Sequence, residues 1–214
     1  MTFKQYFTEA KRKVRPPTEE EKTDPSKAFT YAKDVLKGRF PEGEKVILDP
    51  KNYNLPYIGN WIIAYARDVI KGRWPEAEKI ISKDPKEAYV YARDIIRGRF
   101  PEGEKALLTT PAGAARYAAF ALKHKWPEAE SVIVKDAEAA TIYAKYILGY
   151  RWLEAEPVIA TNTRYAYEYA KDIIKDRWPE AEKAIAESEA FWSDYVRFLN
   201  DINYKEPDTE DEYL

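Results

Sequence analysis

The sequence contains no cysteine and one histidine, His124. Without cysteine, disulfide bonds, thiolate catalysis and cysteine-ligated zinc are excluded. No apolar run reaches the length of a membrane span, and the amino-terminal stretch lacks the apolar centre of a signal peptide. Basic and acidic residues nearly balance at a net charge of −2, so no global field attracts nucleic acid or an anionic membrane. These absences predict a cytoplasmic protein that does not act on a membrane.

The residues that catalysis needs are also sparse. There is no glycine-rich phosphate loop and no spacing typical of metal ligands. Glutamate pairs such as Glu76 and Glu78 recur in nearly every repeat where a helix would begin, which indicates a structural role rather than an acid–base couple. We therefore expect a protein that is not an enzyme, with no metal ion and no cofactor.

A tyrosine recurs through the chain at a constant interval. The positions are Tyr31, Tyr65, Tyr91, Tyr117, Tyr143, Tyr169 and Tyr195. Nine residues after each stands another aromatic residue: Phe40, Trp74, Phe100, Trp126, Trp152, Trp178 and Tyr204. The first interval between tyrosines is 34 residues and every later one is 26. The chain is thus predicted to contain seven copies of a 26-residue repeat, with an insertion at 51–60.

Each repeat is predicted to fold as two helices. Asp84 is expected to cap a first helix in which Pro85 takes the first position. The glycines Gly38, Gly72 and Gly98 are expected to end the first helices in the left-handed conformation. A second, shorter helix is expected over Pro75–Ile81. In the connecting motif "RWPEAE", the aromatic residue is interpreted as core, and the preceding basic residue as a partner for a glutamate such as Glu44 or Glu78.

Because one such hairpin cannot bury its apolar stripe alone, the fold class predicted is all-α, an α-solenoid of about seven two-helix repeats. The predicted organisation is a degenerate leader or cap over 1–23, a single repeat domain over 24–206, and an acidic tail over 207–214. The expected assembly is a monomer or weak oligomer.

The repeats "YAKDVLKGRFPEGE" and "YARDVIKGRWPEAE" resemble those of tailed-bacteriophage proteins built from short helical repeats, a mostly uncharacterised group. The resemblance extends from about Asp24 to Glu206. It implies a virus-encoded protein working in the cytoplasm of a host bacterium, on a host or defence protein. It carries no site residues, and Leu153 departs from the pattern because it replaces the proline that starts the second helix.

Positions where the repeats differ are candidates for function. Three and seven residues after the tyrosine, repeats four and five carry Phe120, His124, Tyr146 and Tyr150, whereas most other repeats carry aspartate and, at the later position, three of them carry glycine. One hypothesis is a partner-binding aromatic patch with a polar rim. The alternative is that these rings fill a gap at the edge of the core.

The insertion is a second candidate binding site. Its segment "KNYNLPYIGNW" combines turn-forming residues with Tyr53, Tyr57 and Trp61. Insertions in solenoids map to loops, often on the binding face. The alternative is that Pro56 starts a lengthened helix and the aromatic residues pack over the end of the stack.

A row of basic residues is a third candidate. It comprises Lys33, Lys37, Arg67, Lys71, Arg93 and Arg97. Such a row could follow a phosphate backbone, but acidic neighbours favour a solvated surface. The main hypothesis is therefore a non-catalytic module that binds a bacterial protein, as an inhibitor or adaptor. The alternatives are a nucleic-acid-binding protein that uses the basic row and a protein that sequesters a small ligand or nucleotide.

Overall fold

The computed structural model describes residues 14–52 and 58–202. Within these residues every regular element is helical, and consecutive helices contact one another in a repeating pattern. The predicted fold class is confirmed, because this pattern is that of an α-solenoid of two-helix repeats. The chain divides into two compact units, an amino-terminal unit over residues 1–104 and a carboxy-terminal unit over residues 105–214.

The first helix of each of the first six repeats is an α-helix that continues into a π-helical segment. These pairs are α1 (Pro25–Thr30, then Tyr31–Leu36), α3 (Ile58–Tyr65, then Ala66–Ile70), α5 (Pro85–Tyr91, then Ala92–Ile96), α7 (Pro111–Tyr117, then Ala118–Leu122), α9 (Ala137–Tyr143, then Ala144–Leu148) and α11 (Thr163–Tyr169, then Ala170–Ile174). The second helices are α2 (Pro41–Ile47), α4 (Pro75–Ile81), α6 (Pro101–Leu107), α8 (Pro127–Ile133), α10 (Glu156–Ile159) and α12 (Pro179–Ile185), and α13 (Glu189–Asp201) is the last helix described. Short 3-10 turns lie at Glu20–Lys22 and Pro50–Asn52.

The helix starts follow the sequence rules. The Asp84 side chain accepts a hydrogen bond from the Glu87 backbone N–H at 2.9 Å, and Pro85 occupies the first turn of α5. Asp24, Asp136 and Asn162 cap α1, α9 and α11 in the same way. Each cap satisfies amide groups that have no partner inside the helix, and the cap predicted at Asp84 is confirmed.

The prediction that glycine ends the first helices was wrong for Gly38, Gly72 and Gly98. The left-handed residue is the one before, namely Lys37, Lys71 and Arg97, with φ of 55°, 61° and 57°. The reason is the π-helical ending: the N–H of Lys37 bonds back to the Ala32 carbonyl, which closes the helix one residue early. Gly38 follows and bonds the same carbonyl at 3.1 Å. In repeat five the left-handed position is itself a glycine, Gly149.

The core of each repeat is built from the recurring tyrosine and the aromatic residue nine positions later. In the amino-terminal unit Tyr65 and Trp74 are buried with ring centroids 4.9 Å apart. In the carboxy-terminal unit Tyr169 and Trp178 are buried with ring centroids 5.2 Å apart. Tilted contacts of this kind contribute about 0.5–1.5 kcal/mol beyond the burial of area. The aromatic residues of the "RWPEAE" motif therefore lie in the core.

Repeat five shows what the helix-starting proline does. Where the other repeats have proline, Leu153 lies in a turn and is 65% exposed. The second helix of this repeat, α10, begins only at Glu156 and spans four residues. Proline at the first helical position is preorganised for the helix, so its loss here shortens α10.

Candidate functional site

A tyrosine hydroxyl joins neighbouring repeats within each compact unit. The hydroxyl of Tyr91 accepts a hydrogen bond from the Trp74 backbone N–H at 2.6 Å and donates one to Glu78 at 3.0 Å. Tyr65, Tyr143, Tyr169 and Tyr195 make the equivalent pair of bonds to the repeat before them. We call this arrangement the inter-repeat joint. It explains why the position is tyrosine rather than phenylalanine, which sequence reasoning missed.

An arginine completes the joint. Arg73 donates two hydrogen bonds to Glu78, at 2.8 and 2.7 Å, and the side chain of Glu78 is only 8% exposed. The hydrogen bonds from Arg73 hold the pKa of Glu78 below its ordinary value. In the last joint described, burial raises the pKa of the Tyr195 hydroxyl to about 12. At neutral pH the glutamate is thus an ionised acceptor and the tyrosine a protonated donor, and the motif is accounted for as structure.

Half of the predicted basic row is occupied by ion pairs. Lys33 lies 3.2 Å from Asp68 of the next repeat, and Arg67 pairs with the same carboxylate at 2.7 Å. Arg93 pairs with its neighbour Asp94 at 2.6 Å. These cations neutralise aspartates of the protein itself, which removes them as free phosphate ligands.

The other half of the basic row is exposed. Lys37, Lys71 and Arg97 occupy the left-handed positions at the ends of α1, α3 and α5. None of the three has an ion pair within residues 14–52 and 58–202. They project one cation per repeat along the amino-terminal unit.

The junction between repeats four and five lacks the ion pair that links repeats five and six. In repeats five and six Lys145 pairs with Asp172 at 2.6 Å. One repeat earlier, Ala119 stands in place of the cation and Tyr146 in place of the aspartate. There the ring centroids of Phe120 and Tyr146 lie 5.1 Å apart. A ring contact has thus replaced an ion pair at this position.

The ring contact leaves much aromatic surface in solvent. Tyr146 is 53% exposed and Tyr150 is 54% exposed, while Phe120 is half-buried. The geometry supports part of each interpretation from the sequence. Phe120 packs at an edge of the core, whereas the two tyrosines are exposed to solvent. We call Phe120, Tyr146 and Tyr150 the aromatic patch.

A lysine completes the surroundings of the aromatic patch. Lys125 stands where five other repeats have arginine, and its Nζ donates to the Tyr150 hydroxyl at 2.9 Å. The same nitrogen lies 5.2 Å from the centre of the Tyr150 ring. Sequence reasoning missed this contact, although a lysine in place of arginine was its signal. His124 is exposed, with Nδ1 2.8 Å from the Lys125 carbonyl oxygen.

The insertion is only partly described. Tyr53 and Tyr57 lie outside the described residues. Trp61, in α3, is partly buried with its ring centroid 5.7 Å from that of Phe29 in the preceding repeat. An open groove of about 400 Å³ is lined by Trp61, Ile63 and Val90 among others. Trp61 therefore both packs on the stack and borders a groove.

The described residues give no support for a metal site or a membrane-spanning helix. The residues described hold no group of three or more acidic, histidine or cysteine side chains placed to bind a metal ion. Among the described helices, none combines the length and apolar character that a membrane crossing requires.

Comparison with known proteins identifies no relative. No family model matches the chain, and no match was found among curated proteins or solved structures. The likeness to bacteriophage repeat proteins therefore rests on the repeat motif alone.

Proposed function

We propose that this chain is a non-catalytic protein-interaction module whose binding surface is the aromatic patch. The observation that supports it is the exposure of Tyr146 and Tyr150, at positions where four other repeats carry aspartate and three carry glycine, respectively. A half-exposed tyrosine adds little to the core, whereas tyrosine is enriched among the residues that dominate binding energy. The patch therefore serves recognition better than it serves packing.

The charges around the patch favour an acidic partner. The hydrogen-bond partner of Lys125 is a neutral hydroxyl, and Glu130 is the carboxylate that acts on its charge. Lys123 is exposed at the left-handed end of α7 and has no ion pair in the part of the chain described. Two cations that form no ion pair among the described residues, beside two exposed rings, suit a protein segment that carries carboxylates next to an apolar anchor.

The sequence resemblance directs the search for a partner to bacterial proteins. The mechanism in this proposal is occlusion or scaffolding: the rigid stack presents the aromatic patch, and the bound protein loses access to its own target. No covalent chemistry is involved. An inhibitor or adaptor carried by a bacteriophage would act in this way.

The test begins with full-length protein used as bait in nuclease-treated bacterial lysate. A captured protein is identified, purified and titrated by calorimetry against the wild type and Tyr146→Asp. The variant carries the residue that four other repeats have at this position, so the fold is expected to persist. We expect at least about tenfold weaker binding, equal to about 1.4 kcal/mol.

The matched control is Val196→Asp, which places the same charge at an exposed apolar residue of α13. Binding by this control should equal binding by the wild type. If Tyr146→Asp binds as tightly as the wild type, the aromatic patch is not the binding surface.

A second candidate function rests on the exposed half of the basic row. Lys37, Lys71 and Arg97 place one unpaired cation per repeat, which suits a polyanion such as nucleic acid. Affinity for single-stranded or double-stranded nucleic acid would then fall steeply with added salt. Replacement of the three residues by glutamine should reduce the slope of that salt dependence, whereas Tyr146→Asp should not change it.

A further inference from the structure

We infer that the groove between α3 and α5 binds a nucleotide, with its base against Trp61 and its phosphate groups on Lys71 and Arg97. We call it the α3–α5 groove. The inference goes beyond the proposed function, because this groove belongs to the amino-terminal unit and the aromatic patch belongs to the carboxy-terminal unit.

The α3–α5 groove consists of three adjoining stretches, of about 250, 400 and 320 Å³. Asn60, Ile63 and Val90 line both the first and the middle stretch, and Arg67 lines both the middle and the last. On α3 the residues Asn60, Ile63 and Arg67 are spaced by three and four positions, so they share one face of the helix. The three stretches therefore follow one another along the two helices.

The middle stretch is apolar and has an aromatic wall. Ile63, Ala64 and Val90 line it together with Trp61. The Trp61 ring packs on Phe29 and is only partly buried. The position four residues before the recurring tyrosine is tryptophan in repeat two alone, so this wall is particular to the junction of repeats two and three. Exposed aromatic rings of this kind stack nucleobases.

The last stretch carries an excess of positive charge. It is lined by Arg67, Lys71, Arg97 and one carboxylate, Asp94. Asp94 is paired with Arg93 at 2.6 Å, and Arg67 is paired with Asp68 at 2.7 Å. Within repeats two and three these four cations outnumber the two carboxylates by two. Lys71 and Arg97 stand on opposite sides of the groove, which suits a phosphate group that accepts charge-assisted hydrogen bonds from both.

The first stretch holds a carboxylate that needs a partner. The half-buried side chain of Glu87 has no hydrogen-bond partner among the described residues, and it lies so close to Gly59 that a Cβ there would overlap it. Burial and the charge of Asp84 raise the pKa of Glu87, against the opposite effect of Lys86. A donor that entered the groove would satisfy this carboxylate. The amino groups of adenine, guanine and cytosine are such donors, whereas a hydrocarbon chain has none.

The order of the three stretches matches the parts of a nucleotide. Arg67 follows Trp61 by six residues and Lys71 follows it by ten, which is about 9 and 15 Å along a helix. A base against Trp61 therefore leaves space for the sugar before the phosphate groups reach the cations. An anionic lipid would leave the Glu87 carboxylate without a donor, and inorganic phosphate would use the last stretch alone.

The experiment titrates the full chain with ATP by calorimetry, without divalent ions so that the phosphate groups meet the side chains directly. Adenosine, tripolyphosphate and dodecyl phosphate are titrated in parallel. We expect ATP to bind at least about tenfold more tightly than each of them. Three results would overturn the inference: no binding of ATP, equal or tighter binding of tripolyphosphate, which needs no base, or tighter binding of dodecyl phosphate, which marks a site for amphiphiles.

A pair of exposed cations provides the variant that locates the site. Lys71→Gln combined with Arg97→Gln should weaken ATP binding at least about tenfold, because both charge-assisted contacts are lost. The matched control is Lys175→Gln combined with Lys183→Gln, which removes two exposed lysines of the carboxy-terminal unit. The control should bind ATP as the wild type does. Equal weakening in the two double variants would show attraction by overall charge and would overturn the inference.

The indole signal of Trp61 reports on the base. In the ¹H–¹⁵N spectrum it is identified by its absence from Trp61→Leu, whose helix content is checked by circular dichroism. We expect ATP to shift this signal and tripolyphosphate to leave it unchanged. Binding of ATP without this shift would refute the contact between the base and Trp61. The double variant of Lys71 and Arg97 tests the phosphate contacts even if Trp61→Leu does not fold.

The source of the nucleotide is settled by one further titration. A single strand of four adenosine nucleotides is compared with ATP. Tighter binding of ATP assigns the groove to free nucleotides, and tighter binding of the strand assigns it to single-stranded nucleic acid. Either result supports a nucleotide site, provided that the Trp61 indole signal shifts with the tighter ligand.

Discussion

Gly103 lies directly against the ring of Phe100, so that a Cβ added at Gly103 would fall 2.6 Å from the ring carbon Cδ1. Gly43 has the same relation to the ring of Phe40. Where the aromatic residue is tryptophan, the residue three positions later is alanine: Ala77, Ala129, Ala155 and Ala181. The two positions therefore vary together, phenylalanine with glycine and tryptophan with alanine.

This relation predicts that Gly103→Ala destabilises the protein by about 1–3 kcal/mol, because the added methyl overlaps a buried ring. Urea unfolding followed by circular dichroism measures the loss. Phe100→Trp combined with Gly103→Ala recreates the pair used in four other repeats and should recover a large part of it. A double-mutant coupling below about 0.5 kcal/mol would mean that the two positions are independent.

The inter-repeat joint predicts a cost for a single hydroxyl. Tyr91→Phe leaves the buried N–H of Trp74 without its acceptor and removes a donor from Glu78. The expected loss is about 1–3 kcal/mol, the usual penalty for an unsatisfied buried polar group. Tyr89→Phe is the matched control, because the Tyr89 hydroxyl accepts a hydrogen bond from the exposed Arg93 side chain at 3.1 Å. Equal losses in the two variants would refute a special role for the joint.

The same joint predicts a dependence of stability on pH. The folded-state pKa of Glu78 is lowered by Arg73. The pair therefore contributes stability above the unfolded-state pKa of about 4.3, and that stability is lost as the pH falls through the folded-state value. Glu78→Gln should be less stable than the wild type at pH 7, with the difference shrinking on acidification. Glu76→Gln is the matched control, because it removes the same charge at an exposed position of the same helix.

The left-handed helix ends yield a prediction that opposes the expectation from the sequence. If Gly98 needed positive φ, Gly98→Ala would destabilise the protein. A Cβ at Gly98 meets nothing within 4 Å and Arg97 holds the positive φ instead. Gly98→Ala is therefore expected to be neutral or to stabilise by about 0.4–1 kcal/mol. Thermal unfolding of this variant beside Arg97→Gly, which should relieve strain at the left-handed residue, decides between the two assignments.

The repeated elements were predictable because each was written several times in the chain. The Asp84 cap, the proline at the start of α5 and the core position of Trp74 follow local rules that the other repeats restate. The left-handed residue was not predictable in the same way. A π-helical ending has no compositional signature. Because glycine often takes the left-handed conformation at a helix end, the prediction placed it at Gly98, one residue after Arg97.

The site was predictable only in part. The shared register of repeats four and five correctly placed Phe120 beside Tyr146. The exposure of Tyr146 could not be read from the sequence, because it depends on what the neighbouring repeat puts opposite it. The contact between Lys125 and Tyr150 spans two repeats and follows from a lysine whose change from arginine looked conservative. Whether the patch binds a partner stays a prediction.

The direction of the inter-repeat joint has a consequence for how such a chain can change in evolution. Within each compact unit the tyrosines of the joint reach back to the repeat before them, and the first one, Tyr31, donates its hydroxyl hydrogen bond to the Arg15 carbonyl at 2.6 Å in place of a preceding repeat. Loss or duplication of a whole 26-residue repeat inside one compact unit is therefore expected to leave the hydroxyls and amides of the joint matched. Recombination between repeats can lengthen or shorten the stack without new compensating mutations, while the divergent residues at its edge change freely.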